Sequence, residues 1–254
     1  MPEIPKTSLI FDLPIHLMND YSDWLASELL QGKGAHVVTL NAEMTMQAKA
    51  NAALAKLISQ AELVIPDGAG ITFYFWLHGL AVRRCPGIEL SELLLTRSAH
   101  PDNGWSVFFY GGSPGVAETA AKSWQAKYPS LRVVGYAHGY LSEPEQQNLR
   151  ETLKTLQPQI ILVGMGVPRQ EFWIAEQRSL CPNSIWVGVG GSLDIWAGTK
   201  SRAPRWLRDN HLEWTYRLYK EPWRWRRMMA LPHFALQSLV YRLTQKDAVM
   251  KEQV

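Results

Sequence analysis

Between residues 37 and 189 short apolar runs alternate with longer amphipathic segments, and this alternation leaves few folds open. The runs 37–40, 63–66, 107–110, 133–136, 160–163 and 185–189 are rich in β-branched residues and mostly stopped by Gly, Pro or Asn, which predicts six strands. The segments between them, near 43–59, 88–99, 114–127, 143–156 and 169–179, predict helices. Such alternation predicts an α/β fold, a Rossmann-like and mostly parallel sheet with helices on both faces. Ser113 followed by Pro114 reads as an N-cap with proline at the first helical position. Ser142 with Glu145 has capping-box spacing.

The chain of 254 residues is long enough to bury a core without staples, and 46% hydrophobic with 19% charged residues excludes a disordered or coiled-coil chain. Its two cysteines, Cys85 and Cys181, lie far apart, which fits a reducing cytoplasm rather than a disulfide framework. The start MPEIPKTSLI lacks the basic-then-apolar order of a signal peptide. The longest stretches free of charged residues, such as 68–82, fall short of the roughly 20 apolar residues of a membrane span.

Charge divides the chain. Residues 1–199 hold 14 Lys and Arg against 18 Asp and Glu, whereas residues 200–246 hold 11 against 3. Five of the eleven tryptophans (Trp196, Trp206, Trp214, Trp223 and Trp225) fall in the short stretch 196–225. We therefore expect an α/β catalytic domain over 1–199 and a C-terminal helical basic and aromatic appendage over 200–254.

In parallel α/β sheets ligands bind outside the carboxyl ends of the strands. The turns there are Thr39-Leu40-Asn41, Pro66-Asp67-Gly68, Gly111-Gly112-Ser113-Pro114-Gly115, Gly164-Met165-Gly166-Val167-Pro168-Arg169-Gln170 and Gly188-Val189-Gly190-Gly191-Ser192. Glycine lets backbone approach a ligand closely, and a helix start offers free N–H groups to an anion, so a phosphate-bearing ligand is expected. The dinucleotide fingerprint fits poorly, because Arg169 and Leu193 stand where its third glycine belongs. No Walker sequence, nucleophile elbow, zinc-ligand histidine spacing or Asp-x-Asp pair is present, which disfavours NAD, ATP and zinc, and no cofactor is expected. Asp67, which ends the apolar run 63–66, is the strongest candidate for chemistry. Partial desolvation at a strand end would raise its pKa and suit it to general-base work, and the competing role is to cap a helix starting near Gly70.

Six segments in order carry a resemblance. They are Thr39-Leu40-Asn41-Ala42-Glu43, Pro66-Asp67-Gly68-x-Gly70, Arg84-Cys85-Pro86-Gly87, Gly111 to Ala117, Gly164-x-Gly166-x-Pro168-x-Gln170-Glu171, and Gly188-Val189-Gly190-Gly191-x-x-Asp194 with Arg202-Ala203-Pro204. From about residue 35 to 220 the chain resembles the WecG/TagA/CpsF family of bacterial glycosyltransferases. The resemblance implies an inverting, metal-independent transfer from a UDP-sugar, of N-acetylmannosamine or glucose type, to a polyprenyl-diphosphate-linked saccharide in cell-surface polysaccharide synthesis. It implies Asp67 as the base, with Thr39 in the catalytic pocket. It also implies donor contacts from Asn41 and Gln170; the turns themselves point to Asp194 and the glycines 111, 112, 164, 166, 190 and 191 as further donor contacts, with ordinary tight turns as the glycines' alternative. Asn41 has a second role open to it as a helix N-cap, Gln170 as an exposed first-turn residue, and Asp194 as the cap of a local turn. Glu171 is expected to support the helix start, where a carboxylate is favoured. Self-association is a further implication. Arg169 in place of the usual lysine, Glu89 in place of aspartate and the poor glycine turn at Phe11-Asp12-Leu13-Pro14 depart from the family pattern.

Arg84 is expected to clamp a diphosphate, as are Arg217, Arg224 and Arg227 of the appendage. Interleaved aromatic and basic residues from Glu213 onward suit an interface with anionic headgroups, which places the protein peripherally on the cytoplasmic face of the inner membrane. Pro222 and Pro232 are expected to split that segment into short helices. The alternative for its tryptophans is ordinary core packing. No RNA-binding motif accompanies the basic patch, so nucleic acid is not an expected partner. Two other functions use the same features: a Rossmann-like methyltransferase or dehydrogenase, and a non-catalytic nucleotide-sugar binder.

Overall fold

The computed structural model describes residues 3–251; residues 252–254 of the expected appendage, and the first two of the expected catalytic domain, lie outside the described residues. Two strands the sequence did not announce come first, β1 (Lys6–Ile10) and β2 (Leu13–Leu17), an antiparallel hairpin with Ile10 opposite Leu13. Its two-residue turn, Phe11-Asp12, holds both residues at positive φ (46° and 67°), the backbone a tight hairpin demands.

The six expected strands then follow as β3 (Ala35–Leu40), β4 (Leu63–Pro66), β5 (Val107–Gly111), β6 (Val133–Ala137), β7 (Ile160–Gly164) and β8 (Ile185–Gly188). They form one sheet in the order β4-β3-β8-β7-β5-β6, parallel at every pairing. Alternation along each strand sorts side chains to the two faces. Val37, Leu63, Ile65, Phe109, Leu162 and Val187 pack under the Tyr21–Leu30, Gly87–Ser98, Val116–Lys127 and Ser192–Trp196 helices. On the opposite face Val38, Leu40 and Val64 meet the Ala42–Ala50, Ala52–Ser59 and Ala69–Leu77 helices, while Phe108, Ile161 and Trp186 meet the Glu143–Leu156 and Arg169–Gln177 helices. The hairpin shields the exposed edge of the sheet, where His16 Nδ1 accepts the Val64 amide at 2.8 Å.

Several local expectations are corrected. The segment 43–59 is two helices, because Asn51 stops the first and its side chain caps the second through the Leu54 amide. Ser113 is not an N-cap: Ser113-Pro114-Gly115 forms a turn closed by the Val116 amide on the Ser113 carbonyl, and the helix starts at Val116 behind Gly115 at φ 85°. Glu145 does reach back to the Ser142 amide at 2.7 Å, as the capping box requires.

Beyond residue 200 come the Arg205–Asp209, Glu213–Lys220, Trp225–Met228 and Ala230–Lys251 helices. Pro222 opens a short 3-10 turn, but Pro232 does not break the chain. It sits in the first turn of the Ala230–Lys251 helix, where a missing N–H leaves no bond unmade. That last helix inserts the fully buried Phe234 between Phe11 and Tyr74, closing a cluster that includes Ile71, Phe75 and Met44. No helix among the described residues is long and apolar enough to cross a membrane.

Candidate active site

A cavity of about 560 Å³ opens at the carboxyl ends of β3, β4 and β8. The chain leaves β3 for a helix on one face and leaves β8 for a helix on the other, so the crevice between them is a topological switch point, where open α/β sheets take their ligands. Its floor holds Thr39, Asn41 and Asp67, one wall holds Gln170 with the 188–192 turn, and the opposite wall is the Glu213–Lys220 helix with Trp223 and Arg224.

Asp67 follows β4, its amide bonded to the Leu40 carbonyl at 2.9 Å. It does not cap the next helix: Gly68, at φ 89°, is the N-cap and no side chain serves the turn. The carboxylate is therefore left to the cavity. Burial pushes it from the ordinary 3.8 up to about 6; the Arg217 guanidinium opposes that rise, the Glu213 carboxylate adds to it, and the Gly87 amide and Arg84 oppose it. Beside it, burial pushes the Cys85 thiol up to about 12, with the Asp67 and Glu89 charges adding, so Cys85 is a neutral thiol.

Thr39 faces the cavity with its hydroxyl donating to the Gly188 carbonyl at 3.3 Å, which ties the end of β3 to that of β8. Asn41 fills both roles open to it: Oδ1 caps the following helix at the Met44 amide (3.0 Å), and the residue lines the cavity. Gln170 also lines it, yet it is not an exposed first-turn residue. It is 1% exposed, and its Oε1 accepts from the amides of Gly166 (3.1 Å) and Gly190 (3.0 Å). Glu171 does stand in the first turn of the Arg169–Gln177 helix, where a carboxylate is favoured. Fully buried, it accepts from Gln170 Nε2 at 2.8 Å and bonds His36 Nε2 at 2.7 Å.

Of the glycines, Gly190 and Gly191 line the cavity, whereas Gly111, Gly112, Gly164 and Gly166 stand outside its lining. A Cβ on Gly111 would lie 2.3 Å from the Gly164 carbonyl oxygen, and one on Gly164 would lie 2.6 Å from Leu193 Cδ1. The close approach these two permit is therefore between protein segments. Asp194 also stands outside the lining; its carbonyl accepts the Thr199 and Lys200 amides and its carboxylate lies 3.6 Å from Lys200 Nζ, so it organises the local turn.

Arg217 and Arg224 reach the cavity from the appendage, paired with Glu213 (2.7 Å) and Glu221 (2.5 Å). Lys200 and Lys220, which the sequence did not single out, join them, with Lys200 3.1 Å from Glu221. Arg84 lies behind this wall, 4.0 Å from Glu213, and Arg227 pairs with Glu43 at 3.2 Å, so neither lines the cavity. Arg202 pairs with Glu89 at 2.5 Å. Among the described residues no three His, Cys, Asp or Glu side chains converge as a metal site would need.

The tryptophans of the basic segment are not core. Trp206, Trp214, Trp223 and Trp225 are all exposed, Trp223 at 71%, and only Trp196 packs inward, edge-on to Phe109 and Trp124.

The chain has relatives among known proteins. The chain is 34% identical over 220 residues to the N-acetylglucosaminyldiphosphoundecaprenol N-acetyl-beta-D-mannosaminyltransferase of Bacillus spizizenii, spanning 86% of this chain and 81% of the relative. It is 29% identical to the Bacillus subtilis protein of the same name over 91% of this chain and 90% of the relative. With the Staphylococcus aureus protein of that name the figures are 35%, 78% and 77%. The sequence model of the glycosyl transferase WecG/TagA/CpsF family matches residues 9–248, including the C-terminal segment beyond the reach of the motifs. The chain belongs to the WecG/TagA/CpsF family of glycosyl transferases.

Proposed function

We propose that this glycosyltransferase moves an N-acetylmannosamine-type sugar from a UDP-sugar to a polyprenyl-diphosphate-linked N-acetylglucosamine, with inversion and without a metal. The acceptor and the sugar are those in its relatives' names. The observation that carries the reading is Asp67: a carboxylate raised to about 6, on the floor of a cavity whose far wall bears Arg217, Arg224, Lys200 and Lys220.

In this mechanism the Asp67 carboxylate takes the proton of the acceptor hydroxyl as its oxygen bonds to the anomeric carbon. The bond from that carbon to the UDP oxygen breaks on the opposite face, and UDP leaves carrying the electron pair. A base with a pKa near 6 is mostly ionised at neutral pH, yet binds a proton more strongly than an ordinary aspartate. The departing diphosphate is neutralised by the cationic wall, where guanidinium forks match phosphate oxygens. Asn41, whose Oδ1 is engaged by the cap, offers its Nδ2 to the donor sugar. Gly190 and Gly191 bring backbone close to the nucleotide, beside Gln170.

The exposed aromatic and basic surface around Trp206, Tyr219, Trp223 and Trp225 would rest on anionic headgroups at the cytoplasmic face of the membrane, which holds the lipid acceptor at the cavity mouth. The test is Asp67→Asn assayed with UDP-N-acetylmannosamine and a lipid-diphosphate N-acetylglucosamine in EDTA. Transfer should fall by at least about 100-fold while UDP binding stays within about threefold. Near-normal turnover would remove Asp67 from the mechanism.

A further inference from the structure

Behind the cavity wall lies a buried polar chain that the mechanism above does not use. His36 stands in β3 between Ala35 and Val37, in a strand buried at all six positions, and is 2% exposed. Its Nε2 meets Glu171 Oε2 at 2.7 Å; Glu171 Oε1 takes the Gln170 Nε2 proton at 2.8 Å; Gln170 Oε1 takes the amides of Gly166 and Gly190. The 3-10 turn Arg178–Leu180 that follows the Arg169–Gln177 helix is also tied to β3, since Glu62 accepts the His36 amide at 2.8 Å and pairs with Arg178 at 2.7 Å. A glycine leaves room for the chain: a Cβ on Gly188 would lie 2.5 Å from both Gln170 Nε2 and Glu171 Oε1.

A carboxamide can sit either way round, and its surroundings choose. In the reverse orientation the Glu171 carboxylate oxygens would oppose the amide oxygen; as it stands, Glu171 accepts from the Gln170 nitrogen. The oxygen then faces two backbone N–H groups, one from the turn after β7 and one from the turn after β8. Were the amide reversed, its NH2 would oppose two donors and its oxygen would oppose a carboxylate. His36, donating to Glu171, holds the carboxylate in the one orientation that enforces this choice, as second-layer groups do for metal and catalytic ligands.

We propose that His36 and Glu171 are positioning residues of the donor pocket: through Gln170 they clamp the Gly190 turn of the cavity wall, and the Gly166 turn behind it, into the geometry that receives the nucleotide. The proposal rests on reading the cavity as a UDP-sugar site, and its test separates the two.

UDP alone, titrated calorimetrically into the full chain, is the probe. Glu171→Gln, which puts an NH2 against one of two donors, and His36→Ala should each weaken UDP binding roughly tenfold or more, the usual cost of losing a charge-assisted buried bond. The KM for the lipid acceptor should stay within about twofold. His36→Gln, whose Nε2 lies the same number of bonds from the backbone as the histidine nitrogen, should restore UDP binding to within about threefold of wild type. Because Glu171 acts through Gln170, Glu171→Gln should add nothing in a Gln170→Ala background. Hydrogen exchange offers a readout independent of catalysis: peptides over 164–168 and 188–192 should exchange faster in His36→Ala and recover in His36→Gln. If Glu171→Gln does not fold, the two His36 variants decide alone. Unchanged UDP affinity in folded Glu171→Gln or His36→Ala, or a penalty that adds fully to that of Gln170→Ala, overturns the proposal. A wild-type protein that binds no UDP sinks the donor-site reading and the proposal with it, a result distinguishable from both.

Discussion

Replacing Asp67 by Asn should stabilise the protein while disabling it, and the size of the gain should depend on pH. Burial raises the Asp67 carboxyl from 3.8 to about 6 in the folded chain, against the pull of Arg217 and Arg84. Ionising it there costs about 3 kcal/mol more than in water at 1.36 kcal/mol per pH unit, and water reaching the cavity floor trims that to about 2. The sign follows from proton counting. Between pH 4 and 6 the folded state keeps a proton that the unfolded state has released, so wild-type stability falls as pH rises through this window and levels off above it. Asn bears no proton to lose. Below pH 4, where Asp67 is neutral in both states, the variant and wild type should be about equally stable. Above pH 6.5 the variant should lead by about 2 kcal/mol, which for a chain of this size is roughly 4–8 °C in Tm. Paired thermal melts from pH 4 to 8 measure the difference. A gap that does not change with pH, or a variant less stable than wild type at pH 8, would refute the desolvated carboxylate.

Other outcomes follow from the same geometry. The acid limb of turnover should fall through pH 6 as Asp67 takes up its proton, losing about tenfold per unit below that in a pH–rate profile. Gly188→Ala, whose Cβ would meet Gln170 Nε2 and Glu171 Oε1 at 2.5 Å, should cost about 1–3 kcal/mol in denaturant unfolding and weaken UDP binding with it. Phe234→Ala should cost about 3–5 kcal/mol, because the ring is 1% exposed among Phe11, Tyr74 and Ile71. Trp223→Ser with Trp225→Ser should leave the melting curve within about 0.5 kcal/mol of wild type and reduce sedimentation with anionic vesicles; unchanged sedimentation would end the membrane reading. Point changes are the better instrument here, since removing the C-terminal segment outright would also remove Phe234 from the core.

The six-strand sheet was legible because its strands are short apolar runs stopped by turn residues, five of them buried at every position and the edge strand Val133–Ala137 still apolar. The hairpin was not. Phe11-Asp12 turns the chain at positive φ without the Asn-Gly or Gly-Gly signal that announces such turns, so only the tertiary context provided by Tyr74, Phe234 and Tyr241 holds Phe11 there. Within the site, Thr39, Asn41, Asp67, Gln170, Gly190, Gly191, Arg217 and Arg224 were read from strand ends, glycine turns and family motifs, and all eight line one cavity. The glycines 111 and 164 read the same way locally, but what approaches them is backbone or a leucine, a distinction that exists only once the strands are assembled. His36 and Glu171 were missed as partners because 135 positions separate them. A lone histidine in a strand otherwise made of Ala, Val, Thr and Leu was the available signal, since a polar group there needs a buried companion.

The pairing of Phe11 with Phe234, ring centroids 5.6 Å apart, has a bearing on how the protein is made. These rings buttress the Ala69–Leu77 helix, which begins two residues after Asp67. At ribosomal rates of about 5–20 residues per second, Phe11 is synthesised some 10–45 s before Phe234 exists. During that interval the nascent hairpin lacks its Phe234 cover, and the Ala69–Leu77 helix, once made, has one side open. Contacts of such long sequence separation also form late in folding, after the entropy of a very large loop has been overcome. The support of the helix that follows Asp67 is therefore completed only after Phe234 has emerged, and until then the apolar side of the hairpin stays uncovered.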